Sequence, residues 1–165
     1  LLVLGIDPGT ATTGFGVVES RGSRLRMVDY GVITTPAGMD MPGRLCLIHE
    51  GLSRIISQYQ PESAAVEQIF HHHNAKTVIT VAQSRGVILY TVASAGIQVC
   101  EYTPLQVKQS VVGYGQADKR QVQLMVQKIL SLKEIPKPDD AADALAIAIC
   151  HLHAQRLAQI YRSEL

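Results

Sequence analysis

Two acidic residues end runs of hydrophobic sequence. Asp7 closes Leu1-Leu2-Val3-Leu4-Gly5-Ile6, and Glu67 closes Ala64-Ala65-Val66. A carboxylate beside the interior is costly unless it is paired, hydrogen-bonded or bound to a cation. Asp140 and Asp143, three residues apart and therefore on one helical face, open the segment Ala144 to Ile149, which is apolar nearly all round. Four such groups gathered in one place would repel, and their pKa values would rise unless cations balanced them. Oxygen-only ligands select Mg²⁺ or Mn²⁺ rather than zinc. Two divalent ions would match four carboxylates, which is the layout for two-metal phosphodiester chemistry. Each residue also has a plainer reading. Asp7 can cap a Pro8-Gly9 turn, and Asp139 and Asp140 can favour the positive end of a helix dipole. Asp143, deeper between alanines, fits the dipole account less well.

A polyanionic substrate needs basic residues near those acids. The chain has 165 residues and a net charge of +1, so a globally basic nucleic-acid coat is excluded. The charge is segregated, however. Between Gln68 and Lys133 stand seven basic residues, among them Lys76, Arg85, Lys108, Lys119 and Arg120, against Glu101 and Asp118 alone. A local basic region beside an acidic set suits an enzyme acting on nucleic acid through metals; a solvated helical face is the bland alternative. At 47% hydrophobic and 18% charged, the sequence can bury a sizeable core, and disorder is excluded. Cys46, Cys100 and Cys150 are an odd, widely spaced set that argues against a disulfide scaffold and for a reducing, cytoplasmic setting. No apolar run is long enough to span a membrane: Leu1 to Ile6 is short and lacks a basic leader, and Ala141 to Cys150 contains Asp143.

The elements that must position these side chains follow from periodicity. Strands are expected at Leu1 to Ile6, Phe15 to Ser20 and Leu25 to Thr34, joined by short turns and hence antiparallel. A helix over Gly43 to Gln60 is stopped by Pro61, and a short strand spans Ser63 to Glu67. A long helix from Ala75 to Ala95 leads to a strand at Ile97 to Tyr102. Thr103-Pro104 reads as a cap and first helical turn ending at Gly113. Helices at about Asp118 to Leu130 and from Asp139 or Asp140 to Arg162 complete the chain. The order implies a single α/β domain over 1–165 with a mixed five-stranded sheet, three antiparallel strands then two parallel, and helices on both faces. Carboxylates at two strand ends lie where such sheets place their chemistry.

Several segments, taken together, resemble the RuvC family of Holliday-junction resolvases. They are Gly5-Ile6-Asp7-Pro8-Gly9-Thr10 with Thr13-Gly14-Phe15-Gly16-Val17; Val66-Glu67-Gln68-Ile69-Phe70 with Asn74-Ala75; and Gln83-Ser84-Arg85-Gly86. Gln106-Val107-Lys108-Gln109, Val111-Val112-Gly113, Ala117-Asp118-Lys119, Gln121-Val122 and Asp140 to Ala146 with His151 continue in order. The resemblance covers residues 3 to about 153. It implies a ribonuclease H-like fold and a homodimer that resolves four-way DNA junctions by paired nicks in recombination and repair, in bacteria, together with the RuvA and RuvB branch-migration proteins. It places Asp7, Glu67, Asp140 and Asp143 as the catalytic, metal-binding acids, with two Mg²⁺ per site for which Mn²⁺ can substitute. Some members carry His at the position of Asp140; this chain keeps the carboxylate, and Asp139 beside it stays open as an alternative ligand. Phe70 falls on the family's base-stacking aromatic, and Lys108 and Lys119 on basic positions tied to DNA binding and catalysis.

An aromatic in a loop beside cations is a base-stacking platform. Asn74, Lys76, Arg85 and Arg120 are the further expected DNA contacts. The triple His71-His72-His73 is a departure from the family pattern and reads as solvated. His151 and His153 have no Cys at zinc spacing. The apolar residues of the long helix, Val78, Ile79, Val81, Val87, Ile88 and Val92, exceed what one face needs and suggest part of a dimer interface. Three rivals remain on sequence. A ribonuclease H-like nuclease with another nucleic-acid substrate is one, and a non-catalytic junction-binding protein is the second. An actin-like ATPase shares the Asp7-x-Gly9 turn but needs two such domains.

Overall fold

The computed structural model describes residues 1–68 and 75–163, with only the backbone of Ala75, Lys76 and Ser163. Strands β1 (Leu2–Asp7), β2 (Thr12–Arg21) and β3 (Arg24–Thr34) form an antiparallel meander; β4 (Ser63–Glu67) and β5 (Gln98–Tyr102) add in parallel. Three antiparallel and two parallel strands are what the sequence pattern implied; the structure sets their order as β3-β2-β1-β4-β5. The helices are α1 (Met41–Tyr59), α2 (Ala75–Ser94), α3 (Pro104–Val112), α4 (Lys119–Ile129) and α5 (Asp139–Ser163).

Alternation along β1 sorts the two sides. Leu4 and Ile6, with Val17, Ala64 and Val66, pack under α1 and α2 through Ile48, Leu52, Ile88 and Val92. Val3, with Val18 and Ala65, faces α3, α4 and α5. By the same alternation Gly5, Asp7 and Glu67 belong to the α3–α5 side. Ile88 and Val92 of α2 are thus spent on this chain's own core, whereas Ile79 and Tyr90 are 61% and 68% exposed.

Most boundaries shift by a residue from the sequence reading, and three of the differences have a clear physical reason. Asp7 is the last residue of β1, paired with Gly14, rather than a turn residue beyond it. β2 starts at Thr12, because Thr12, Thr13 and Gly14 pair with Thr34, Ile33 and Val32. Gly14, just ahead of the expected second strand, is a sheet member, and with Gly5 and Gly16 it is required by a close helix. A Cβ at Gly5 would overlap the Ala144 carbonyl, one at Gly14 the Asp140 carbonyl, and one at Gly16 would meet Leu145 at 2.8 Å. Helix α1 begins two residues early because Asp40 caps it, accepting from Gly43 N at 3.2 Å, with Pro42 in the first turn.

Candidate active site

The glycine seat fixes where α5 lies. With its first turns pressed on β1 and β2, it brings Asp140 and Asp143 to the end of β1 that carries Asp7. The parallel pairing of β1 with β4 sets Glu67 at the same end. Asp7, Glu67 and Asp143 line a cleft of about 170 Å³, closed by Lys108 of α3 and Lys119 of α4. Asp140 is half-buried and does not line this cleft, but its charge acts on both Asp7 and Asp143.

The electrostatics are those of buried carboxylates that repel one another. Burial first, then Glu67, Asp143 and Asp140, push the Asp7 carboxyl up to about 8. Burial and Asp143 push Glu67 up to about 7, against the pull of Lys108 and Lys119. Asp143 is raised by burial despite Lys119. Lys119 Nζ lies 3.2 Å from Asp143 Oδ2 and 3.3 Å from Asp139 Oδ2. Burial works against its charge, yet those carboxylates hold its pKa above the usual value. Local sequence sets these lysines. Asp118 caps α4 in a reciprocal box with Gln121, so Lys119 is the first helical residue; Thr103 and Gln106 do the same for α3.

Asp139, left open on sequence as an alternative ligand, does not line the cleft. It is exposed, and its oxygens are committed to Lys119 and to Gln123 Nε2 at 2.9 Å. Arg85 is also placed differently from a free phosphate contact: its guanidinium turns inward, onto Glu101 and the Glu67 carbonyl. Arg120 is exposed. Phe70, His71, His72, His73 and Asn74 and the side chain of Lys76 lie outside the described residues. His151 is a satisfied buried histidine, with Nε2 3.0 Å from Ser63 Oγ and Nδ1 2.8 Å from Tyr102 Oη; His153 pairs with Ser110. Glu101 is counted on sequence as an acid of the basic stretch but carries no assigned role there. Its signal was available, since it and Asp118 are the acids of the basic stretch and each has a structural partner here.

An all-oxygen donor set whose members resist ionisation together fits hard divalent cations in its chemistry. It is not a ready-made cage: among the described residues no three His, Cys, Asp or Glu side chains stand at ligand spacing.

A five-stranded mixed sheet with this carboxylate cleft at the ends of β1 and β4 defines a ribonuclease H-like fold with a nuclease-type site. The family profile described as crossover junction endodeoxyribonuclease RuvC matches residues 3–151, and the chain belongs to the RuvC family. A Syntrophomonas wolfei crossover junction endodeoxyribonuclease RuvC is 63% identical over 161 residues, covering 98% of this chain and 94% of that protein. Thermus thermophilus RuvC, solved in complex with a Holliday junction substrate, superimposes with a TM-score of 0.91 at 37% identity, covering 96% of each chain. The yeast mitochondrial Holliday junction resolvase shares the fold, with a TM-score of 0.74 at 15% identity over 98% of this chain and 81% of that one.

Proposed function

We propose that residues 1–165 form one nuclease domain that resolves four-way DNA junctions by symmetric paired nicks, in homologous recombination and repair. The observation that carries this reading is the meeting of Asp7, Glu67 and Asp143 with Lys108 and Lys119 in one cleft, in a chain that matches the RuvC family almost throughout.

Asp7, Glu67, Asp140 and Asp143 would hold two Mg²⁺, or Mn²⁺ in their place. Bound there, such ions would supply charge neutralisation and activation of water at neutral pH. The protein's own part is positional and electrostatic. Asp7, at the centre of the acid set, orients the site from the rigid end of β1. Lys119 carries a firmly held positive charge to the cleft mouth, where it stabilises charge developing on the scissile phosphate. Lys108 does so from the facing helix. The reaction is attack of water on phosphorus in line with the 3′ oxygen: the P–O3′ bond breaks, the 3′ oxygen leaves as a hydroxyl by taking up a proton, the water gives up a proton to solvent, and a 5′-phosphate remains. Lys76 and Arg120 would neutralise phosphates farther out, and Phe70 and Asn74 would engage the junction itself.

A two-fold junction calls for a two-fold dimer with both sites on one side. Ile79, Gln83, Gly86 and Tyr90 form a helical stripe on α2. Ile79 and Tyr90 are well exposed, and Gly86 has open space above it; this stripe is the proposed dimer contact. Work with RuvA and RuvB in the bacterial cytoplasm completes the proposal, and among the described residues no helix is long and apolar enough to cross a membrane.

The test is a labelled four-way junction beside matched linear duplex, with Mg²⁺, Mn²⁺ or chelator. Metal-dependent, paired nicks in the junction alone are expected. Activity on an RNA–DNA hybrid without junction cleavage would select the rival nuclease reading, and binding without cleavage in any metal the non-catalytic one.

A further inference from the structure

Two neighbouring side chains of α2 reach the two strand ends that carry Asp7 and Glu67. Ser84 is fully buried, with Oγ 3.0 Å from Thr10 Oγ1, in the turn that follows Asp7. The same turn is tied from the far side by Thr35 Oγ1, which donates to the Thr10 carbonyl at 2.7 Å. Arg85 Nε donates to the Glu67 carbonyl at 3.2 Å. Its buried Nη2 lies 2.9 Å from Glu101 Oε1, an ion pair off the hydrogen-bond axis. Glu101 in turn accepts from Gln68 Nε2 at 3.4 Å, while Gln68 N donates to the Tyr102 carbonyl at 2.8 Å.

The Arg85 side chain is only 18% exposed. To reach a phosphate it would have to leave Glu101 without its cation. Glu101 is useful where it is. On β5, next to Val66 in register, it fixes the guanidinium beneath the last residue of β4. An arginine held by a carboxylate and aimed at a main-chain carbonyl is a clamp on backbone position, because its planar fork resists reorientation.

We propose that Arg85, with Glu101 as its counter-ion, is a positioning residue for the acid cluster: it holds the Glu67 end of β4 while Ser84 beside it holds the turn after Asp7. The proposal rests on the reading of Asp7 and Glu67 as cation ligands. A supporting shell of this kind typically changes metal affinity about 10–100-fold when lost.

The experiment separates positioning from phosphate contact by measuring each without the other. Mn²⁺ uptake by the DNA-free full chain is titrated by the loss of the free Mn²⁺ resonance signal. Junction affinity is measured in chelator across a salt series. Arg85→Ala should weaken Mn²⁺ uptake by about tenfold or more, and leave junction affinity in chelator within about twofold with an unchanged salt slope. Unchanged Mn²⁺ uptake with weaker junction binding and a salt slope smaller by about one would make Arg85 a phosphate contact and overturn the proposal.

Should Arg85→Ala fail to fold, Glu101→Gln keeps the guanidinium and removes its anchor. Weaker Mn²⁺ uptake is expected there too, with Arg85→Lys intermediate, and full uptake in Glu101→Gln overturns the proposal. If the unaltered chain takes up no Mn²⁺ that Asp7→Asn abolishes, the metal-site reading falls and this one with it. Normal uptake in the unaltered chain and in both variants sinks the positioning role alone.

Discussion

The two sides of the sheet use the same strands for different ends. Under α1 and α2 the strands present Leu4, Ile6, Val17 and Val66, all fully buried, against Ile48 and Leu52. On the other side the same β1 presents Val3, Gly5 and Asp7. There side chains are removed so that α5 can lie directly on the backbone, and Ala141, Ala142, Ala144, Ala146 and Ala148 are small on the helix side as well. One side gains stability from large interdigitating groups. The other gives up side-chain volume so that acids on separate elements come within electrostatic reach. Packing and chemistry thus sit one residue apart on a single strand.

The largest break in that contrast is chemical. Asp7→Asn should cut junction cleavage by about 10³-fold or more and leave junction binding in chelator intact; cleavage above a tenth of the unaltered rate would remove Asp7 from the mechanism. Next come the packing limits. Gly5→Val forces a branched side chain into the Ala144 carbonyl and should cost about 3 kcal/mol or more in urea unfolding. Leu52→Ala, on the opposite side, should cost a similar amount, about 3 kcal/mol. The two should part in function: per folded molecule, Leu52→Ala keeps its cleavage rate and Gly5→Val does not, and equal retention would show that the glycine seat is not what aligns the acids.

The pH dependence of the cation-free protein sharpens the same point. The folded state holds a proton on Asp7 up to about 8, and on Glu67 up to about 7, while the unfolded chain releases both near 4. The unfolded state therefore binds fewer protons between those limits, and stability should fall as pH rises from about 4 to about 8. Asp7→Asn removes the larger part of that slope and should raise cation-free stability at pH 8 by on the order of 1–2 kcal/mol. Melting curves at pH 5 and 8 with chelator check it, and parallel slopes for both proteins would contradict it. Smallest of all, Ile48→Val on the apolar side should cost about 1 kcal/mol with cleavage unaltered.

Much of this molecule is legible in residue order. Alternation and turn spacing give the five strands, Thr103-Pro104 and Asp118 mark two helix starts, and hydrophobic runs ending in Asp7 and Glu67 mark the chemical end of the sheet. These signals are local: a period, a cap, or a charge next to an apolar run can be read without knowing what lies opposite. Asp40 obeys the same capping rule, and it sets the start of α1 two residues before Gly43.

What only the tertiary structure decided depends on partners distant in sequence. Nothing local says why Gly5, Gly14 and Gly16 must lack side chains until α5, more than 120 residues later, is laid on them. Asp139 and Asp143 stand four residues apart on one helix, and different surroundings hold them. Lys119 and Gln123 draw the first outward, while burial against Asp7 and Glu67 keeps the second in the cleft. Arg85 carries the charge of a phosphate contact, and only the approach of β5 shows that Glu101 has claimed it. Sequence fixes which groups are present and which local conformations they favour. Which charge neutralises which is set by long-range packing, because Coulomb and desolvation energies depend on through-space distance and burial rather than on position along the chain.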